Sequence, residues 1–244
     1  MALPHLLALL VAAALLTPAT VVAASSKLPT NARVERVVAQ QSPKLSAELE
    51  ARGLRLGAAI FVRVFKESAE LELWVQDDEQ FALFKTYEIC SFSGQLGPKL
   101  AQGDRQSPEG FYYVGAGQMN PWSRFHLSFN LGFPNAYDRR HGRTGSYLMV
   151  HGDCVSIGCY AMTDDGIEEI YTLAAAAIGA GQRFFRVHVF PFRMTDARMA
   201  TARAAASRWY SFWANLKEGY DWFEHRQRPP EVIVDDKKYA FRPS

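Results

Sequence analysis

The residues in this chain best suited to chemistry are a histidine and a cysteine eight positions apart, His151 and Cys159, each next to a glycine. Cysteine attacks as the thiolate, so it needs an imidazole close by, either to take its proton or to hold it as an ion pair. His151 is placed to be that group. Gly158 allows a tight turn in front of Cys159 and brings peptide N–H groups near a reacting carbonyl, as an oxyanion hole requires. The pair has a plainer reading too, a buried thiol beside a core histidine. Cys154 is a rival nucleophile, but it lacks the Ser156-x-Gly158 lead and sits three residues from His151. His141-Gly142 is a rival His-Gly pair, eighteen residues before Cys159, lying among arginines in a polar stretch. His151 is preferred because the apolar run Tyr147-Leu148-Met149-Val150 can hold its ring rigidly on a strand.

The string His151-Gly152-Asp153-Cys154-Val155-Ser156-Ile157-Gly158-Cys159-Tyr160-Ala161-Met162-Thr163-Asp164 resembles the signature of the L,D-transpeptidase (YkuD-like) catalytic domain. Members of that family are cysteine acyltransferases that act on peptidoglycan stem peptides. Two upstream runs, Gly103-Asp104-Arg105-Gln106-Ser107-Pro108-Glu109-Gly110-Phe111-Tyr112 and Ser128 to Arg139, are similar to the YafK-type branch of the family. The resemblance implies an α+β, mainly β fold: a sandwich or barrel-like core with flanking helices and a helical C-terminal extension. It implies Cys159 as nucleophile, His151 as base and the Gly152 carbonyl as the group orienting the imidazole, with Ser156, Gly158 and Tyr160 around the thiol and oxyanion. It implies no cofactor and no metal. One departure matters: many transpeptidases carry arginine two residues after the cysteine, where this chain has Ala161. With bulky Tyr160 beside the nucleophile, that departure weakens the case for a bound acceptor stem. It favours hydrolytic release of a peptidoglycan-linked outer-membrane lipoprotein over cross-linking or lipoprotein attachment. The main competitors are a metal hydrolase using His151, Asp153, Cys154 and Cys159, whose crowding lacks zinc-ligand spacing, and a non-catalytic wall-binding module.

The elements around these motifs follow in order. With 244 residues, 48% of them hydrophobic, the chain can bury a full core, and its formal charge of +2 gives no electrostatic case for nucleic acid. Residues 1–24 read as a secretory signal: an apolar run from Leu6 to Leu16, then small residues ending at Ala24. Export places the protein in the periplasm, where Cys90 and Cys154 can pair and leave Cys159 free. Residues 25–57 form a helical lead-in and 58–192 the catalytic domain. Within it, the strands Ile60–Phe65, Leu71–Val75 and Phe81–Cys90 form a meander. Pro108-Glu109-Gly110 has the spacing of a tight turn, for which the resemblance implies a scaffolding role, and a helix follows the cap Thr163. Phe184–Phe190 is a further strand, with His188 expected on its polar face. The long connection from Asn120 to Arg143 offers Tyr137, Arg139 and Arg140 as contacts for the free carboxylates of stem peptides. Residues 193–244 are read as a helical, aromatic extension whose Trp, Tyr and Phe stripe is packing rather than a sugar platform.

Overall fold

The computed structural model describes residues 28–244, so the expected signal segment lies outside the described residues. The lead-in is one helix, α1 (Ala32–Glu50), which the Asn31 side chain caps by accepting from the Val34 N–H. Val34, Val37, Leu45 and Leu49 fall on one face at helical spacing and are buried. The chain then runs through β1 (Ile60–Phe65), β2 (Glu70–Asp77), β3 (Gln80–Glu88), β4 (Ser91–Phe92), β5 (Gly110–Gly115), β6 (Met119–Asn120) and β7 (Ser128–Asn130). A short helix α2 (Ala136–Arg140) precedes β8 (Met149–His151) and β9 (Tyr160–Ala161), and α3 (Asp164–Gly179) leads into β10 (Phe184–Phe190). The C-terminal part is α4 (Asp196–Ala204), α5 (Tyr210–Arg226) and a hairpin of β11 (Glu231–Asp235) and β12 (Lys238–Arg242).

These elements make an α+β fold built mainly of sheet. The first sheet has the order β3-β2-β1-β10-β5, and the second the order β4-β9-β8-β7-β6. In β1 and β10 the side chains alternate between two cores, as the two-residue repeat of a strand dictates. Ile60, Val62, Val64, Val187 and Val189 face the second sheet, α1 and α3, while Phe65 and Phe190 face α5 and the hairpin. Phe129 of β7 meets Phe185 of β10 edge to face at 5.3 Å, which joins the two sheets.

The C-terminal part is therefore a second cover on the first sheet. Phe212, Trp213, Leu216 and Tyr220 are buried against Phe65, Phe111 and Phe190. Two expectations change as a result. The hairpin β11–β12 stands where a helical extension is expected, and Val232-Ile233-Val234 followed by Asp235-Asp236 is its strand-and-turn signal. His188 does not lie on a polar face, because α5 covers that side: it is 1% exposed and edge-packed between Phe61 and Phe111 at 4.7 Å.

Candidate active site

His151 ends β8, the middle strand of the second sheet, paired with Ser128 of β7 and Ala161 of β9. Its ring is 2% exposed and lies 4.7 Å from the Phe125 ring. Nδ1 is 2.6 Å from the Gly152 carbonyl oxygen. A carbonyl can only accept, so Nδ1 carries the proton and Nε2 keeps its lone pair as the basic atom. Burial lowers the His151 pKa, against a smaller raising effect of the Gly152 hydrogen bond. The resting imidazole is neutral.

Gly152 is required by space. A Cβ there would stand 2.5 Å from Asp164 Oδ1 and 3.1 Å from both His126 Cβ and Ile167 Cγ2. Its N–H donates to the carbonyls of Phe125 (3.1 Å) and Leu127 (3.2 Å), which fixes the carbonyl that holds His151. The chain then turns through Asp153 and Cys154, both at positive φ. Asp164 Oδ1 holds the Asp153 N–H at 2.9 Å, and a Cys90–Cys154 disulfide ties the turn to the end of the meander.

Cys159 lies immediately before β9 and is the free cysteine. Its Sγ accepts from the Met149 N–H at 3.4 Å and lies 3.7 Å from the Tyr147 carbonyl. Burial raises the thiol pKa, with the Met149 N–H and then Lys99 acting in the opposite sense. Among the described residues the thiol has no hydrogen bond to His151. The two shifts, imidazole down and thiol up, both act against a standing thiolate–imidazolium pair.

Three serines hold the backbone around Cys159. The Cys159 carbonyl accepts from Ser156 Oγ (2.8 Å) and Ser107 Oγ (2.9 Å), while the Gly158 N–H donates to Ser93 Oγ (2.9 Å) and Ser156 Oγ (3.2 Å). Gly158 takes φ +120°, a conformation an L side chain resists. Since its amide is already engaged, Gly158 shapes the loop and does not offer a free oxyanion donor. Ser107 adjoins the Pro108-Glu109-Gly110 turn, which buried Lys66 anchors through the Ser107 carbonyl (3.2 Å) and Glu109 Oε1 (3.1 Å). Glu109 Oε2 in turn accepts from Trp213 Nε1 at 2.8 Å, so the C-terminal helix α5 supports the serine that holds Cys159.

His151 and Cys159 open into one pocket of about 370 Å³ with Trp122, Arg124, Phe125 and Tyr147 in its wall. A wider cleft of about 810 Å³ continues from it past Asn120, Trp122, Tyr147 and Met149. The model of the YkuD L,D-transpeptidase catalytic domain matches residues 60–189, which contain His151, Cys159 and the pocket walls around them. The chain belongs to the L,D-transpeptidase (YkuD) catalytic-domain family. It is 50% identical over 185 residues, 76% of this chain and 74% of the relative, to YafK of Escherichia coli K12, named as a candidate L,D-transpeptidase. Among solved structures it is similar to the helical cell shape determining protein Pgp2 of Campylobacter jejuni, with 16% identity, coverage of 78% and 80%, and a TM-score of 0.44. Bd1075 of Bdellovibrio bacteriovorus gives 19% identity, coverage of 75% and 84%, and a TM-score of 0.42.

Within this L,D-transpeptidase domain, several residues singled out from the sequence stand elsewhere. Tyr160 is fully buried, its hydroxyl donating to the Pro108 carbonyl at 2.7 Å, so it braces the turn and does not crowd the thiol. Tyr137 is buried in a stack with Tyr239 at 4.2 Å. Arg139 lines a different cavity, beneath the C-terminal hairpin, where its guanidinium donates to the Pro134 carbonyl. Arg140, the last residue of α2, is exposed and is not part of the Cys159 pocket. The third arginine of that run, Arg143, is buried against Asp138 at 2.8 Å. None of these is a stem-peptide contact at Cys159, because α2 packs against the C-terminal hairpin and α5. His141 is likewise remote, with Nε2 2.9 Å from the Lys237 carbonyl. Cys154 is spent in the disulfide and Asp153 is exposed, so the crowded His151, Asp153, Cys154 and Cys159 do not converge as metal ligands. Sequence reasoning missed Ser93, Ser107, Arg124 and Phe125. Arg124 and Phe125 lie inside the irregular segment marked as functional, but Ser93 and Ser107 are distant in sequence and reach Gly158 and Cys159 only through the fold.

Proposed function

We propose that this protein is a periplasmic cysteine amidase of the L,D-transpeptidase family that releases covalently attached lipoprotein from peptidoglycan. The observation that carries the reading is the His151–Gly152 hydrogen bond, which leaves Nε2 as the base in the pocket that holds the Cys159 thiol. His151 takes the Sγ proton as sulfur attacks the stem-peptide carbonyl. The C–S bond forms, the C–N bond breaks, and the imidazolium returns the proton to the departing amine. The Cys159 amide, engaged by no acceptor among the described residues, is the donor nearest the developing oxyanion. Water then attacks the thioester, His151 accepting its proton, and the thiol is regenerated.

Two features favour water over an amine acceptor. Ala161 is fully buried on β9, and the arginines of α2 that could have replaced a carboxylate contact stand away from the pocket. The rim is also open: Trp122 is 66% and Tyr147 73% exposed, so the acyl-enzyme is not shielded from solvent. The Cys90–Cys154 disulfide suits an oxidising compartment.

The test is to incubate the protein with peptidoglycan carrying bound lipoprotein, together with free tetrapeptide stems, and to follow products by mass spectrometry. Freed lipoprotein with unmodified stems is expected, and Cys159→Ala should produce none. New cross-links between stems with lipoprotein retained would replace this reading with transpeptidation.

A further inference from the structure

The segment 121–127 forms one wall of the Cys159 pocket and is held from several sides. Asn31 Nδ2 donates to the Pro121 carbonyl (2.8 Å), and the Arg33 guanidinium donates to the carbonyls of Ser123 (3.1 Å) and His126 (2.5 Å). Inside the segment, the Phe125 N–H donates to Ser123 Oγ (3.1 Å). His126 Nε2 stands 2.8 Å from Glu168 Oε1, which ties the far end to α3. In this braced segment one polar side chain is left over. Arg124 is exposed and lines the pocket with His151 and Cys159, and among the described residues its guanidinium has no hydrogen bond and no ion pair.

Among the described residues, the lining of the pocket contains no Asp, Glu or Lys, and Arg124 is its one arginine. A guanidinium presents a planar fork that matches a carboxylate, and it stays charged at any working pH. We infer that Arg124 is a specificity-determining residue that binds a free carboxylate of the stem peptide beside the scissile carbonyl. The preformed loop lowers the ordering cost of the contact. This inference rests on the cysteine-amidase reading for its substrate, but not for its chemistry: any electrophile offering Cys159 a neighbouring carboxylate should feel the same guanidinium.

The experiment uses that separation. Cys159 is the free thiol among the described residues, and its alkylation is followed with two small reagents, anionic iodoacetate and neutral iodoacetamide. Arg124→Gln should slow iodoacetate about tenfold and leave iodoacetamide within about twofold, the size expected for one charge-assisted contact. Arg124→Lys should restore part of the iodoacetate rate. In turnover assays Arg124→Gln should raise KM for a donor stem with a free carboxylate by at least about tenfold, while the corresponding carboxamide shows no change. Equal effects on both alkylating reagents, or none, would overturn the inference. If the alkylation result stands and no stem is cleaved, the fault lies with the proposed reaction and the anion site remains.

Discussion

The two five-stranded sheets contrast in how they are built. The first consists of strands of six to nine residues whose alternating apolar side chains feed two cores, so its position is set by burial. The strands of the second are two or three residues long, and its shape comes from specific hydrogen bonds: serine hydroxyls on the Cys159 loop, a carbonyl on His151, an aspartate on the turn. Each sheet carries a buried histidine that desolvation keeps neutral. On the second sheet the imidazole is hydrogen-bonded and opens into a pocket. On the first, His188 sits among phenylalanine rings with Nδ1 unpartnered among the described residues. Burial alone therefore does not distinguish the two histidines; the oriented tautomer and the access do.

The sharpest way to break this contrast is to exchange the fates of the two histidines. His151→Ala should lower kcat/KM by roughly 10²–10⁴-fold, the usual size of a general-base contribution, with little change in Tm. His188→Leu should leave kcat/KM within about threefold and leave stability unchanged or higher, because it removes an unpaired buried polar atom. Loss of activity in the second variant with retention in the first would reverse the assignment.

A smaller effect is expected from Gly152→Ala. The added Cβ must displace Asp164 or the 151–153 backbone, so overpacking should cost about 1–3 kcal/mol in a denaturant titration. The same shift moves the carbonyl that orients His151, and kcat should fall by about tenfold or more at temperatures where the variant is fully folded. A stability loss with unchanged kcat would show that the Gly152 carbonyl does not position the base.

The mildest test is pH. The base must be neutral and its pKa lies below the ordinary histidine value, so kcat/KM should hold as pH falls through 6.5 and decline only below it. The thiol is shifted up, so iodoacetamide alkylation of the resting protein should keep climbing past pH 9 with no plateau near neutrality. A plateau at pH 6–7 would mean a standing thiolate–imidazolium pair.

The same contrast explains what could be read in the sequence. Ile60–Phe65 and Phe184–Phe190 are legible because long β-branched and aromatic runs have few other fates, and Thr163 announces α3 by capping chemistry. A two-residue strand such as Tyr160–Ala161 has no period to detect. The thiol, the base and the carbonyl that orients it lie within nine residues, and their local pattern marks them. Their supports do not: Ser93 meets Gly158 and Ser107 meets Cys159 across more than fifty residues of chain, and Tyr137, Arg139 and Arg140 stand out by residue type although α2 faces another part of the molecule.

The disulfide between Cys90 and Cys154 carries a consequence for how the molecule is made. Three cysteines can pair in three ways, and one of them leaves Cys159 free. Cys154 and Cys159 are close neighbours in the chain, so before the sheets assemble they meet more readily than Cys154 meets Cys90. Under oxidising conditions, the native pairing thus requires that the meander reach the second sheet before oxidation is complete, or that an isomerase correct the product. The yield of active protein becomes a matter of timing between folding and thiol oxidation, and not of sequence alone.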